Sequence, residues 1–543
     1  MPFLGFHGLF MSELYKQGLN RNQQLLFPPS IDDYVDEENS VRAIDAYVEF
    51  SDLSKLEFSN TRKSNRTDGQ KAYSPKLLLK IYIYGYLNKI RSSRALEKEC
   101  KRNLELIWLT ENLAPSYHTI ADFRKENPRA LKHVFTEFVL LCKNINLIGD
   151  GLKAVDGAFL RANASKNRLI TKTTLEKDLK KVEQEIQEYL KSLEYSDKEK
   201  QPLNLINKLP KNLRQLKHKQ KELSKNLELL KTMGKTQHNT TDPDASLMQK
   251  PAHNLMAYNS QIVVDEKYKF IVATNVSSKG NDAQQLHEMG QETKENLELE
   301  KSDCLTIVAD TGYYSSKEFV KCNADNINAI VPEAKTQQVQ KDKGKFTRDK
   351  FIFDVKNDCY ICPNKQALKK RATPQLKNDK VNFVYAGASA ICKACLLKDQ
   401  CLPIQTPYKQ MYRYENEHII EEHREKMQMQ ECKVMVKKRG SLVEHPFGTI
   451  KRSLGWDHFL MRGIEKVSGE NALIMFGYNF KRLLNLIGIA LFKKLIVAVK
   501  NENIEQIKEE IAKYIAISLL NLLRFFKNEH IFGFESRKCR INR

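Results

Sequence analysis

Between residues 151 and 332 the chain alternates short apolar runs with helical stretches, and three of those runs lead into an aspartate. Gly151-Leu-Lys-Ala-Val-Asp156 reads as a short strand that ends near Asp156. Tyr258–Asp265 and Lys269–Val276 read as two strands joined by a turn at Glu266-Lys267. Residues 282–298 have a helical pattern, and Cys304-Leu-Thr-Ile-Val-Ala-Asp310 is a buried-type strand. Ser315/Ser316 caps a short helix, and Ile327–Pro332 is a further strand. Strand, hairpin, helix, strand, helix, strand is the order of an α/β chain with a mixed sheet under helices.

The elements around this segment are helical. Ser74-Pro75 is a helix start with proline at the first position. Ser92/Ser93 caps a helix containing Arg94, and Pro115-Ser116 opens another containing Arg124. Short helices with cations along one face suit a helix-turn-helix-like DNA reader, and equally a helical bundle with a solvated basic face. Residues 170–232 carry two runs with spacings of four and three. One is Leu175, Leu179, Val182, Ile186, Tyr189, Leu193; the other is Leu213, Leu216, Gln220, Leu223, Leu227, Leu230. This is the seam pattern of a helical hairpin, with Pro202 and Pro210 between the runs.

The formal charge of +22 over 543 residues favours a polyanionic partner, nucleic acid before an anionic membrane surface. Leu483–Val499 is apolar, but Asn485, Lys493 and Lys494 interrupt it, so a buried helix is expected rather than a membrane span. The apolar N-terminus lacks the flanks of a signal peptide, Met11 is an alternative start, and a cytoplasmic protein is expected. Of eleven cysteines, Cys359, Cys362, Cys392, Cys395 and Cys401 fall close together. Two CxxC pairs at this spacing match a structural zinc site, with Cys401 a spare or a substitute.

Three carboxylates stand out. Asp156 and Asp310 close strands, and Glu444 lies seven residues, about two helical turns, before Lys451. Carboxylates gathered at strand ends hold two Mg²⁺ ions for phosphodiester chemistry. Each also has a structural reading. Asp156-Gly157 is a hairpin signal, Asp310 a cap, and Ser441-x-x-Glu444 a capping box that would start a helix. Pro446 is expected to kink that helix or mark its start.

In order along the chain, Ser92-Ser-Arg-Ala-Leu-Glu97, Thr119-Ile-Ala-Asp-Phe-Arg124, Ala154-Val-Asp-Gly157, Thr241-Asp-Pro-Asp-Ala245, Ala309-Asp-Thr-Gly-Tyr-Tyr-Ser315, the cysteine segment and Val443-Glu-His-Pro-Phe-Gly-Thr-Ile-Lys451 resemble the DDE transposases of bacterial insertion sequences. The resemblance covers about residues 14–486. It implies an RNase H-like core in which Asp156, Asp310 and Glu444 are the catalytic, metal-holding D, D and E. It implies Mg²⁺ or Mn²⁺, cutting at terminal inverted repeats, joining of 3′-hydroxyls to target DNA, and a homodimer in the DNA complex. It also implies a tyrosine and an arginine ahead of Glu444. Those positions hold Lys437 and Gly440, with Arg439 one place off. Lys451, Arg452 and Arg439 are the expected phosphate contacts, and Arg94 and Arg124 lie in the expected reader of the repeats.

The organisation this suggests is a helical DNA-binding domain at 12–140 and a catalytic domain at 150–486. The catalytic domain carries a helical-hairpin insert at 166–240 and a zinc-ribbon-like insert at 335–430; a basic helical extension follows at 487–543. The alternatives are a non-catalytic DNA-binding protein with a decayed nuclease core, or an RNase H-like structure-specific nuclease.

Overall fold

The computed structural model describes residues 30–59, 72–198, 209–234, 236–249, 254–333, 344–377, 380–403 and 405–529. Six helices come first: α1 (Ser40–Phe50), α2 (Pro75–Leu87), α3 (Ser93–Cys100), α4 (Leu104–Leu109), α5 (Tyr117–Glu126) and α6 (Pro128–Asn144). Side chains fix several of their starts. Ser74 accepts from the Lys76 N–H with Pro75 beside it, Asn103 from Glu105 and Leu106, and Ser116 from Thr119. Each bond satisfies an N–H that has no partner within its helix.

The central sheet contains β1 (Lys153–Arg161), β4 (Ser246–Gln249), β5 (Asn254–Asp265), β6 (Ile271–Ser277), β7 (Leu305–Val308) and β8 (Ile327–Ile330). Its order is β6-β5-β1-β7-β8, with β4 sharing the outer edge of β5. β6, β5 and β1 are antiparallel neighbours, whereas β1, β7 and β8 run parallel. α9 (Leu286–Asn296) and α10 (Ser316–Ala324) make the crossovers. The fold is therefore mixed α/β with a helical N-terminal region.

One expectation changes here. β1 does not stop near Asp156, and Asp156-Gly157 is not a hairpin. The strand runs on to Arg161 because the twelve-residue β5 pairs with every residue from Lys153 to Arg161. A continuous partner satisfies the backbone through the Asp-Gly step, which outweighs local turn preference.

Between β1 and β4 the chain forms β2 (Leu169–Thr171) and β3 (Gln237–Asn239), a two-stranded ribbon. It supports α7 (Lys172–Lys198) and α8 (Leu209–Thr232), which pack on each other. Leu175, Val182 and Leu230 of the apolar runs are buried. After β8 comes a second sheet built from β9 (Ile352–Asp354), β10 (Cys359–Ile361), β11 (Ala367–Lys370), β12 (Gln375–Lys377), β13 (Lys380–Ala386) and β14 (Gln410–Tyr414). The short helices α11 (Ser389–Lys393) and α12 (Lys398–Cys401) interrupt it. Its own core is small: Phe351, Tyr360, Leu368, Tyr385 and Met411.

α13 (Glu417–Gln428), α14 (Gln430–Gly448), α15 (Ile464–Lys500) and α16 (Ile504–Glu529) finish the described chain. α15 covers the central sheet. Its Asn479 both accepts from and donates to the Ile271 backbone, and Asn471 bonds Ser260 and Thr274. One hydrophobic core runs from α1 through the sheet to α16, so the N-terminal helices pack directly against the sheet-bearing part. The Leu483–Val499 segment lies within α15, and no helix among the described residues is long and apolar enough to cross a membrane.

A buried ion pair joins the paired ends of β1 and β5. Lys153 Nζ stands 2.9 Å from Asp265 Oδ1, with side-chain exposures of 2% and 1%. Asp265→Ala strands an ammonium in the core and is expected to cost about 3–5 kcal/mol. The double variant Lys153→Met, Asp265→Leu is expected to cost much less, a difference that a double-mutant cycle in denaturant unfolding reads directly.

Candidate active site

Asp156 and Asp310 come together through the parallel pairing of β1 with β7. Asp156 sits within β1, and Asp310 lies two residues past the end of β7. Asp310 caps a short turn at Thr311–Tyr313, accepting at 2.8 Å from the Gly312 N–H. The cap reading of Asp310 and its place beside Asp156 are thus compatible.

Between the two carboxylates lies the guanidinium of Arg439. Nη1 is 3.4 Å from Asp156 Oδ1, and Nη2 is 3.5 Å from Asp310 Oδ2. Charge-assisted hydrogen bonds are shorter, about 2.7–2.9 Å, so the cation is shared rather than clamped. Burial pushes the Asp156 carboxyl above the usual aspartate range. Arg439 and the Gly157 N–H oppose that shift, while the nearby charges of Asp310 and Asp282 add to it.

Beside this pair is a polar layer that sequence reading missed. Asp282 Oδ1 accepts from Asn259 Nδ2 at 2.7 Å and from Gln261 Nε2 at 2.6 Å. The Tyr313 hydroxyl donates to Gln261 Oε1. Burial, then the charges of Asp282, Asp156 and Asp310, raise that phenol well above its ordinary range and keep it a donor. Gly157 makes the layer possible. A Cβ there would stand 2.3 Å from Gln261 Nε2 and 2.8 Å from Asp282 Oδ1. Asn259 and Gln261 stand two apart in β5 and so face the same side, a periodic signal that was available. Asp282 lies outside regular structure, and nothing in its sequence neighbourhood marks it.

Glu444 does not stand at a helix start. It is exposed near the C-terminal end of α14, fourteen residues after the first at Gln430, so Ser441-x-x-Glu444 does not start a helix. The Ser441 hydroxyl instead bonds back to the Lys438 carbonyl. Apolar packing of Leu442, Val443, Pro446 and Phe447 carries the helix through, so Pro446 neither starts nor ends it. Just beyond, Thr449–Ser453 widens into a π turn. Glu444 Oε1 lies against Gly440 on its own helix. Among the described residues, no three acidic, histidine or cysteine side chains gather as a metal-holding group. The structure therefore joins Asp156 to Asp310 and leaves Glu444 outside the pair. At the offset arginine position, Arg439 reaches the carboxylates, and Gly440 leaves room for Glu444.

The remaining cations divide. Lys451 and Arg452 lie in the π turn, with Lys451 Nζ 5.3 Å over the Phe447 ring and Arg452 exposed. Arg94 is exposed and stacks 4.7 Å over Tyr117. Arg124 is corrected as a DNA contact. It is 5% exposed, 3.7 Å from Glu470 and 3.4 Å from the Tyr86 hydroxyl, and it ties α5 to α15. The five clustered cysteines also divide. Cys362, Cys392, Cys395 and Cys401 line one cavity, while Cys359 is buried in β10 and lines another.

Two family models match the chain. Residues 29–126 match a transposase domain (DUF772), and residues 361–484 match a transposase DDE domain. Both matches are to transposase domains, the second of the DDE type. The second match contains Arg439, Glu444, Lys451 and the four cysteines of one cavity; neither reaches Asp156 or Asp310. Among solved structures, the chain is similar to a piggyBac transposase synaptic complex with hairpin DNA. Identity there is 9%, with 93% of this chain and 83% of that chain covered and a TM-score of 0.30. No curated protein matches.

The raised Asp156 carboxyl has a measurable consequence. A carboxyl whose folded pKa lies above its unfolded value stabilises the fold only at low pH, and that contribution is lost as pH rises through the folded pKa. Asp156→Asn removes the charge that folding disfavours. At neutral pH it is expected to raise the melting temperature relative to wild type. The gain should shrink as pH falls below the folded pKa and vanish below about 3.8.

Proposed function

We propose that this transposase cuts DNA at the terminal inverted repeats of its element and joins the exposed 3′-hydroxyls to target DNA. The observation that carries the reading is the shared guanidinium. Two carboxylates from neighbouring parallel strands hold one cation between them, ahead of any substrate. The strand order β6-β5-β1-β7-β8, three antiparallel and then two added in parallel, supports an RNase H-like core. The net charge of +22 supports a nucleic-acid partner.

The donor set suits Mg²⁺ or Mn²⁺. Asp156 and Asp310 offer carboxylate oxygens toward a common point that a cation already occupies. Asp156 and Asp310 would hold the metal, with Glu444 as the third carboxylate from α14. Bound there, the metal supplies Lewis-acid activation of the attacking oxygen and charge stabilisation at the leaving oxygen. Arg439, released from the two aspartates, turns its charge to the scissile phosphate. Lys451 and Arg452 hold neighbouring phosphates, which gives affinity without sequence choice. The exposed face of α3 and α5, with Arg94, reads the repeats, and two copies pair the element's ends as a homodimer.

The test is strand nicking on linear DNA carrying the element's ends, with Mg²⁺ or Mn²⁺ as the only divalent ion. Wild type is expected to nick at those ends. Asp156→Ala, Asp310→Ala and Glu444→Ala are each expected to lose about a hundredfold or more, the scale of several kcal/mol of transition-state stabilisation. Wild-type rates in the Glu444 variant alone would remove it from the site and leave the aspartates. Binding without nicking by wild type would favour a decayed core.

A further inference from the structure

The fold leaves one constellation unused by DNA chemistry. Cys362, Cys392, Cys395 and Cys401 come from three separate places: the turn after β10, the end of α11 with the residues just past it, and the end of α12. All four line a single cavity of about 40 Å³, closed otherwise by Leu368, Ala388, Ile391 and Leu402 among others. One water needs about 10–15 Å³ of such volume. The space therefore admits an ion and excludes a drug-sized organic ligand, which needs several hundred.

Local hydrogen bonds already address these sulfurs. The Gln366 N–H points to Cys362 Sγ at 3.4 Å, and Asn364 Nδ2 to Cys395 Sγ at 3.5 Å. Gly387 is also fitted to the site, since a Cβ there would stand 2.9 Å from Cys392 Sγ. The surrounding sheet needs reinforcement, because its core has only five buried residues and so small a core stabilises little alone.

We propose that Cys362, Cys392, Cys395 and Cys401 hold a structural zinc ion, and that Cys359 is not a ligand. The pairing is therefore not two CxxC units. Cys359 stands opposite Asp354 and Lys369 in the sheet and lines a different cavity with Asp358 and Lys370. The hairpin turn contributes one sulfur, the CxxC of residues 392–395 contributes two, and α12 the fourth. Four thiolates around one ion match zinc's tetrahedral preference, with Zn–S near 2.3 Å. The thiols do not stand at coordination distance in this structure. Loading draws them inward and releases thiol protons to solvent. The ion ties the turn, α11 and α12 into one unit.

The experiment is metal analysis of the full chain purified under reducing conditions without added metal, followed by cobalt substitution. About one zinc per chain is expected, kept by Cys359→Ser and by the Asp156→Ala, Asp310→Ala double variant. Cys401→Ser and Cys392→Ser are expected to bind at least about tenfold more weakly. Since a cysteine variant can simply misfold, the cobalt-loaded wild type is read independently. The absorption bands of a tetrahedral four-thiolate centre are expected. No zinc in the reduced protein, iron in its place, a three-thiolate cobalt spectrum, or loss with Cys359→Ser but not Cys401→Ser would each overturn the assignment. Loss of nicking with zinc retained would instead count against the DNA-cutting reading alone.

Discussion

Everything in the candidate site depends on the pairing of β1. On one side it runs antiparallel to β5 over nine residues, and on the other parallel to β7 at Lys153 and Ala154. The long antiparallel partner holds Asp156 extended within the strand rather than in a turn. The parallel partner delivers Asp310 to the same end of the sheet. The Lys153–Asp265 pair pins the far end of the β1–β5 ladder, where a slip of one residue would turn Asp156 to the opposite face.

The second constraint is electrostatic. Asp156, Asp310 and Asp282 share a small, partly buried region, and the charges of the other two raise the cost of ionising Asp156. The protein answers with one cation for Asp156 and Asp310, and with neutral amide donors for Asp282. Arg439 sits at ion-pair rather than short hydrogen-bond distances, so it balances charge without locking the carboxylates. Gly157 lets the amide layer pack under the aspartates, a requirement of close approach rather than of chain flexibility.

Much of this was legible in the sequence. The strands and helices of residues 254–332 follow from apolar runs and their breakers, and the seams of α7 and α8 from regular spacing. Asp156 and Asp310 were singled out because each was read at the end of a buried strand, and the fold brings the two side by side. What local pattern did not reveal was set by distant partners. The extent of β1 belongs to β5, and the burial of Arg124 belongs to Glu470, which lies 346 residues later in the chain. Glu444 was read as a helix start because the capping pattern is local, whereas α14 begins at Gln430 and runs through on packing. Cys359 and Cys362 look equivalent in sequence. Cys359 lies within β10 and Cys362 in the turn after it, and only the fold separates them.

The central claim is that Asp156 and Asp310 form a divalent-cation site whose place Arg439 holds beforehand. The most direct measurement is anomalous X-ray scattering from crystals of the protein soaked with Mn²⁺. The account predicts an anomalous peak between the Asp156 and Asp310 carboxylates, with the Arg439 guanidinium displaced from both. A peak elsewhere, or Arg439 still bridging the two aspartates at saturating Mn²⁺, would contradict it.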